Sequence, residues 1–138
     1  VRVVIDTNIL VSALRSQRGA SFRLLQKLGS ARFQPIISPP LCLEYEDVLR
    51  RPGLVPGFTE QDIGDFLDYI LSESLECRIH FLWRPHLPGP KDDLVLELAL
   101  AGNAPIIITH NVRDFRGIES PGIRAVTPAE FLRILPAS

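Results

Sequence analysis

The chain has 138 residues, 46% of them hydrophobic, enough to bury a core without disulfide staples and too few for two domains of ordinary size. Its net charge of −1 excludes a whole-molecule attraction to nucleic acid, so a polyanion would have to be met by local arginines or by a bound cation. Cys42 and Cys77 have no zinc-type spacing and form no disulfide framework, and no apolar run approaches the roughly 18 residues of a membrane span. The chain opens on a strand rather than on a charged, signal-like segment, and the expectation is one cytoplasmic domain over residues 1–138.

In chain order, Val3, Val4 and Ile5 predict a short buried strand, and the dense apolar run from Ile9 to Leu14 predicts a buried helix behind it. Leu24, Leu25 and Leu28 predict a second helix within 22–33, stopped by Gly29. The stretch FQPIIS, 33–38, reads as a strand with an edge-like start at Pro35. Two prolines then suit the first turn of a helix over 39–53, where Leu41, Tyr45, Val48 and Leu49 share a stripe. From Thr59 to Glu76 the spacing of Ile63, Phe66, Leu67, Ile70 and Leu71 predicts the clearest helix, with Thr59 as its N-cap.

A third strand is expected at CRIHFLW, 77–83, followed by a proline-rich loop, 84–91. The segment DDLVLELALAGN, 92–103, is apolar around most of its circumference, as a helix packed centrally on a sheet would be, and PIIIT, 105–109, is a buried strand. A loop over 110–122 leads to a short strand at 123–126, after which Thr127, Pro128 and Glu130 spell the start of the last helix. Strands alternating with helices at this spacing predict an α/β domain, a central parallel sheet of four to five strands with helices on both faces.

On that map the acids gather. Asp6 follows strand one, Glu44 lies in the helix after strand two, Asp92 and Asp93 open a helix, and Asp114 follows strand four, all on the carboxyl-end side of the sheet. Each has a plain structural alternative: Asp6, Asp92 or Asp93 as a helix cap, Glu44 as a rim residue and Asp114 in an Asx turn. Glu44 nevertheless borders the buried stripe while Glu46 and Asp47 point elsewhere, and a carboxylate there needs a partner. Several carboxylates in one cleft repel one another, and a hard cation such as Mg²⁺ or Mn²⁺ resolves the repulsion. Such sites suit phosphodiester hydrolysis. Rival chemistries are poorly supported, since no glycine-rich loop follows strand one and His80, His86 and His110 are scattered. An aspartyl-phosphate phosphatase would want a second aspartate two residues after Asp6, where Asn8 stands.

The blocks VVIDTNILVSAL, SPPLCLEYEDVLRRP, PKDDLVLELALAGNAPIIITHNVRDF and VTPAEFL, in this order, resemble the PIN-domain ribonucleases, in particular the VapC-like toxins of bacterial toxin–antitoxin systems. The resemblance spans nearly the whole chain. It implies that Asp6, Glu44 and Asp92 are the first three metal-site acids, with Asn8 ordering the first and Asp93 beside the third. Two departures stand out. Gly89 occupies a place where this subgroup often has an acid, and the strand-four block reads Thr109, His110, Asn111 where an aspartate usually ends it. Asn111 adds no charge, so the fourth acid is lost or replaced by Asp114.

The implied activity is divalent-metal-dependent cleavage of single-stranded RNA, with Arg113, Arg116 and Arg15 as candidates for flanking phosphates, an antitoxin as partner and a homodimer as assembly, away from any membrane. The competing expectation is a PIN module, weakened or inactivated by Asn111, that binds RNA or a protein without turnover.

Overall fold

The computed structural model describes residues 1–30, 32–78, 90–115 and 122–135, and of residues 90–93 it describes the backbone alone. Five parallel strands, β1 (Arg2–Ile5), β2 (Gln34–Ile37), β3 (Leu75–Glu76), β4 (Ile106–Ile108) and β5 (Arg124–Val126), form one sheet in the order β3-β2-β1-β4-β5. Successive strand residues face opposite sides, and Val3, Val4 and Ile5 are each at most 1% exposed. Both faces of the central strand are therefore covered, as a parallel sheet requires.

Among the described residues six helices provide the cover: α1 (Thr7–Arg15), α2 (Ala20–Gln26), α3 (Pro39–Leu49), α4 (Glu60–Ser72), α5 (Pro90–Ala101) and α6 (Pro128–Ile134). Their boundaries follow local chemistry. The Ser38 hydroxyl accepts from the Leu41 amide to start α3, with prolines where no N–H is needed. Thr59 with Asp62, and Thr127 with Glu130, form reciprocal capping boxes at α4 and α6. No helix among the described residues is long and apolar enough to cross a membrane.

Several expected boundaries move. The second helix ends at Gln26, just short of the expected stop at Gly29, which at φ +81° turns the chain. The fourth ends at Ser72 because Leu75 and Glu76 pair with Ile36 and Ile37. The third strand is thus these two residues, ahead of the expected 77–83. Cys77 and Arg78 carry no strand structure, and the rest of that stretch lies outside the described residues. The segment read as loop contains a 3₁₀ turn, Val112–Phe115.

The close approach of α5 to the sheet depends on Gly102. A Cβ there would lie 2.4 Å from the Ile36 Cδ1 atom and 3.1 Å from the Leu98 carbonyl oxygen, so a side chain would require the buried Ile36 to repack and would crowd the end of the helix.

Candidate functional site

β1 connects leftward to β2 and β3, whereas its other neighbour, β4, is reached only after α5, so the strand order reverses at the β1–β4 pair. In open α/β sheets the crevice beyond the carboxyl ends at such a point binds ligands. The residues leaving the two strands there are Asp6 and Thr109, brought together by the pairing of Ile5 with Ile108.

Asp6 is only 6% exposed. Its two oxygens do different things: Oδ1 accepts from the Thr7 amide at 2.8 Å and caps α1, while Oδ2 accepts from the Thr109 hydroxyl at 2.7 Å and from Asn8 Nδ2 at 3.3 Å. Capping and a place in the crevice, posed as alternatives by the sequence, are both true. Burial is the main cause that raises the Asp6 pKa above its ordinary 3.8. The Thr109 and Thr7 hydrogen bonds oppose it, and the carboxylates of Glu44 and Asp114 add to it.

A network of small polar groups holds this centre. The Thr109 hydroxyl also accepts from Asn8 Nδ2 at 3.2 Å and from the Asn111 amide at 3.0 Å, and Asn8 Oδ1 accepts from the His110 amide at 3.2 Å. Glu44 joins through the Thr7 hydroxyl, which donates to Glu44 Oε2. Beside it the buried Tyr45 donates its hydroxyl to the Ile5 carbonyl, fixing α3 against the end of β1. Glu44 is half-buried while Glu46 and Asp47 are exposed. His110, its pKa lowered by burial, is held 3.0 Å from the Ser21 hydroxyl of α2.

These groups open onto a cleft of about 530 Å³ lined by Asp6, Thr7, Asn8, Glu44 and Asn111 at one end and by Arg15, Arg51 and Leu54 among others along its length. Asp114 does not line it but is near enough to raise the Asp6 pKa. Arg113 is exposed and outside the cleft lining, and Arg116 lies outside the described residues. Asp92 and Asp93 fall in the first turn of α5. That helix feeds β4 and packs on β1 and β4, so its start belongs to the carboxyl edge; the two side chains are outside the described residues. Among the described residues, no three His, Cys, Asp or Glu side chains gather closely enough to hold a metal ion.

Thr7, Ser21 and Arg51 were not singled out in the sequence. Thr7 and Ser21 carry no local signal because their partners are 37 and 89 residues away. Arg51 did have one, standing seven residues after Glu44, just beyond the end of α3.

A family model described as PIN domain matches residues 2–113. The chain belongs to the PIN domain family. The match runs from β1 through Asp6, Glu44 and Thr109 to Arg113, and so contains the whole crevice. Among solved structures, this PIN domain is similar to VapBC2 from Rickettsia felis bound to a DNA fragment from their promoter, with a TM-score of 0.65, 18% identity, and coverage of 92% of this chain and 98% of that one. At that identity the likeness concerns the fold. No curated protein matches the chain.

Proposed function

We propose that this PIN domain is a divalent-cation-dependent endoribonuclease acting on single-stranded RNA, the toxin of a toxin–antitoxin pair. The observation that carries the reading is Asp6: a buried carboxylate at the strand-order reversal, held by Thr109 and Asn8, whose proton affinity is raised by burial and by two neighbouring acids. A cleft that confines repelling carboxylates suits a hard cation. Three of the roughly four lone-pair positions on Asp6 are taken by hydrogen bonds, which leaves capacity for one further ligand.

Asp6, Glu44 and Asp92 are the residues that would hold Mg²⁺ or Mn²⁺, with Asp114 adding negative potential. When bound, the cation supplies charge neutralisation at the phosphoryl oxygens and activation of water. The chain's own groups orient that centre. Thr109 and Asn8 lock the Asp6 carboxylate, Thr7 fixes Glu44, and Asn111 presents an uncharged amide at the cleft wall. Support for an antitoxin partner is the similarity of fold to VapBC2 bound to a DNA fragment from their promoter. Homodimerisation and a cytoplasmic setting complete the proposal.

The purified protein is expected to cleave single-stranded RNA with Mg²⁺ or Mn²⁺, to stop on chelation with EDTA, and to lose activity in Asp6→Asn. Cleavage that survives both treatments overturns the reading. A second reading, an RNA-binding module without turnover, is favoured by Asn111 at the cleft in place of an acid. It predicts metal-supported RNA binding with no products in the same assay.

A further inference from the structure

The cleft is a trough between two helices that leave the same sheet edge. α1 starts directly after β1 and α3 directly after the neighbouring parallel β2, and the two pack against each other. Asn8, Val11, Ser12 and Arg15 recur on α1 at intervals of three, one and three residues, one helical stripe. Opposite stand Glu44 and Val48 of α3 and Arg51, two residues beyond its last residue, and all seven line the same cleft. Both walls therefore run in one order: polar or acidic, then valine, then arginine.

Arg15 stands eight residues beyond Thr7, about 12 Å along α1, and Arg51 follows the end of α3, seven residues beyond Glu44. Both cations thus lie toward the end away from Asp6. Arg15 makes no ion pair among the described residues. Arg51 is paired to Asp47 at 3.1 Å on an exposed surface, a pairing weak enough to be exchanged for a phosphate. Between the ends, Val11, Val48 and Leu54 give an aliphatic floor, with the hydroxyls of Ser12 along it and Ser16 beside Arg15.

We infer that this trough is a nucleotide subsite: it takes the nucleoside next to the scissile phosphate on its aliphatic floor and grips the following phosphate with Arg15 and Arg51. The inference rests on the nuclease reading for which phosphate lies at the acid end. A single RNA strand repeats phosphate, nucleoside, phosphate, which is the order the walls are built to meet. The volume lies within the range of about 300–1,000 Å³ usual for small-molecule sites. With no aromatic side chain in the lining and few polar groups beside its aliphatic floor, the subsite reads the presence of a base far more than its identity.

The test compares three RNA probes, a dinucleoside monophosphate bare, with a 5′-phosphate and with a 3′-phosphate, on the wild-type chain and on Arg15→Gln, Arg51→Gln and the double variant. One terminal phosphate should raise kcat/KM by roughly tenfold, mainly through KM, and the ratio should fall toward unity in the double variant. Arg51→Lys should restore part of it, which a merely structural Arg51 would not require. No gain from a phosphate at either end, or a gain that survives the double variant, overturns the subsite and leaves the trough to a peptide. If the wild type cleaves none of the probes, the nuclease reading has failed rather than the subsite, and equilibrium binding of the same probes with Mg²⁺ decides. Phosphate-dependent affinity lost in the double variant sustains the subsite; affinity indifferent to the phosphate overturns it. An abasic residue beside the terminal phosphate should also weaken binding, and an abasic probe bound as tightly as the intact one removes the nucleoside from the trough.

Discussion

At the scale of a single residue, Thr109 carries more of the site than its small side chain suggests. Its hydroxyl, on a fully buried residue, donates to Asp6 and accepts from Asn8 and the Asn111 amide, so one oxygen ties β1, α1 and the turn after β4. Thr109→Val keeps the shape and removes all three bonds. The fold should lose about 2–3 kcal/mol, since a hydrogen bond to a charged acceptor is lost inside the protein, and Thr109→Ser should recover most of it in urea titrations. The pH dependence changes as well. The Asp6 pKa is raised in the folded state, so the folded protein binds its proton more tightly than the unfolded chain; this contribution is most favourable below 3.8 and is lost as pH rises through the folded value. Removing the Thr109 bond removes a cause that lowers the Asp6 pKa, and the loss should extend to higher pH. Melting temperatures from about pH 4 to about pH 7, each taken relative to Asp6→Asn at the same pH, isolate that term. Identical profiles for wild type and Thr109→Val would separate Thr109 from the carboxylate.

At the scale of the element, α5 carries two adjacent acids, Asp92 and Asp93, in its first turn, and the proposed function assigns them different roles. Its described face is buried from Val95 to Ala99, including Glu97, and it packs on β1 and β4. Residues one apart on a helix point about 100° away from each other, so Asp92 and Asp93 cannot face the same ligand equally. Val95, Leu96 and Ala99, at +3, +4 and +7 from Asp92, are all buried, and the proposal that Asp92 is the third acid rests on that spacing. Asp92→Asn should therefore abolish RNA cleavage, while Asp93→Asn should cost a few-fold through weaker capping or support of the site. Single-turnover rates measure both, and the reverse order would place the register one residue later.

At the scale of the molecule, the parallel sheet concentrates carboxylates at one edge, and a bound cation should report on that concentration through global stability. A ligand that binds only the folded state stabilises it by mass action, about 2.7 kcal/mol at a hundred times Kd. Mg²⁺ should raise the melting temperature of the wild type and raise that of Asp6→Asn far less. In the metal-free state, Asp6→Asn removes a buried charge beside Glu44 and Asp114 but turns an acceptor toward Asn8 Nδ2 into a donor, so the two effects oppose each other. The discriminating quantity is thus the response to the cation rather than the metal-free melting point. Calorimetric scans of both proteins with and without Mg²⁺ give it directly. Equal shifts would mean that Asp6 serves α1 as a cap and holds no metal.

How far the sequence speaks alone differs from one feature to the next, for physical reasons. Periodicity and caps are local, so the strands at Val3–Ile5 and Ile106–Ile108, the stripe of α4 and the capping box at Thr127 were legible as written. The two-residue β3 was not, because a strand that short has no period of its own and exists through pairing with Ile36 and Ile37. Chain order also sufficed to bring Asp6, Glu44 and Asp114 near one another, since in a parallel sheet every residue that follows a strand emerges on the same side. What chain order left open was contact. That Asp6 caps a helix with one oxygen and meets Thr109 with the other, that Thr7 rather than a lysine accompanies Glu44, and that Arg15 and Arg51 close the same trough depend on residues 103, 37 and 36 positions apart. Such pairings follow from strand order and helix packing, which no local pattern encodes, and the tertiary structure alone decides them.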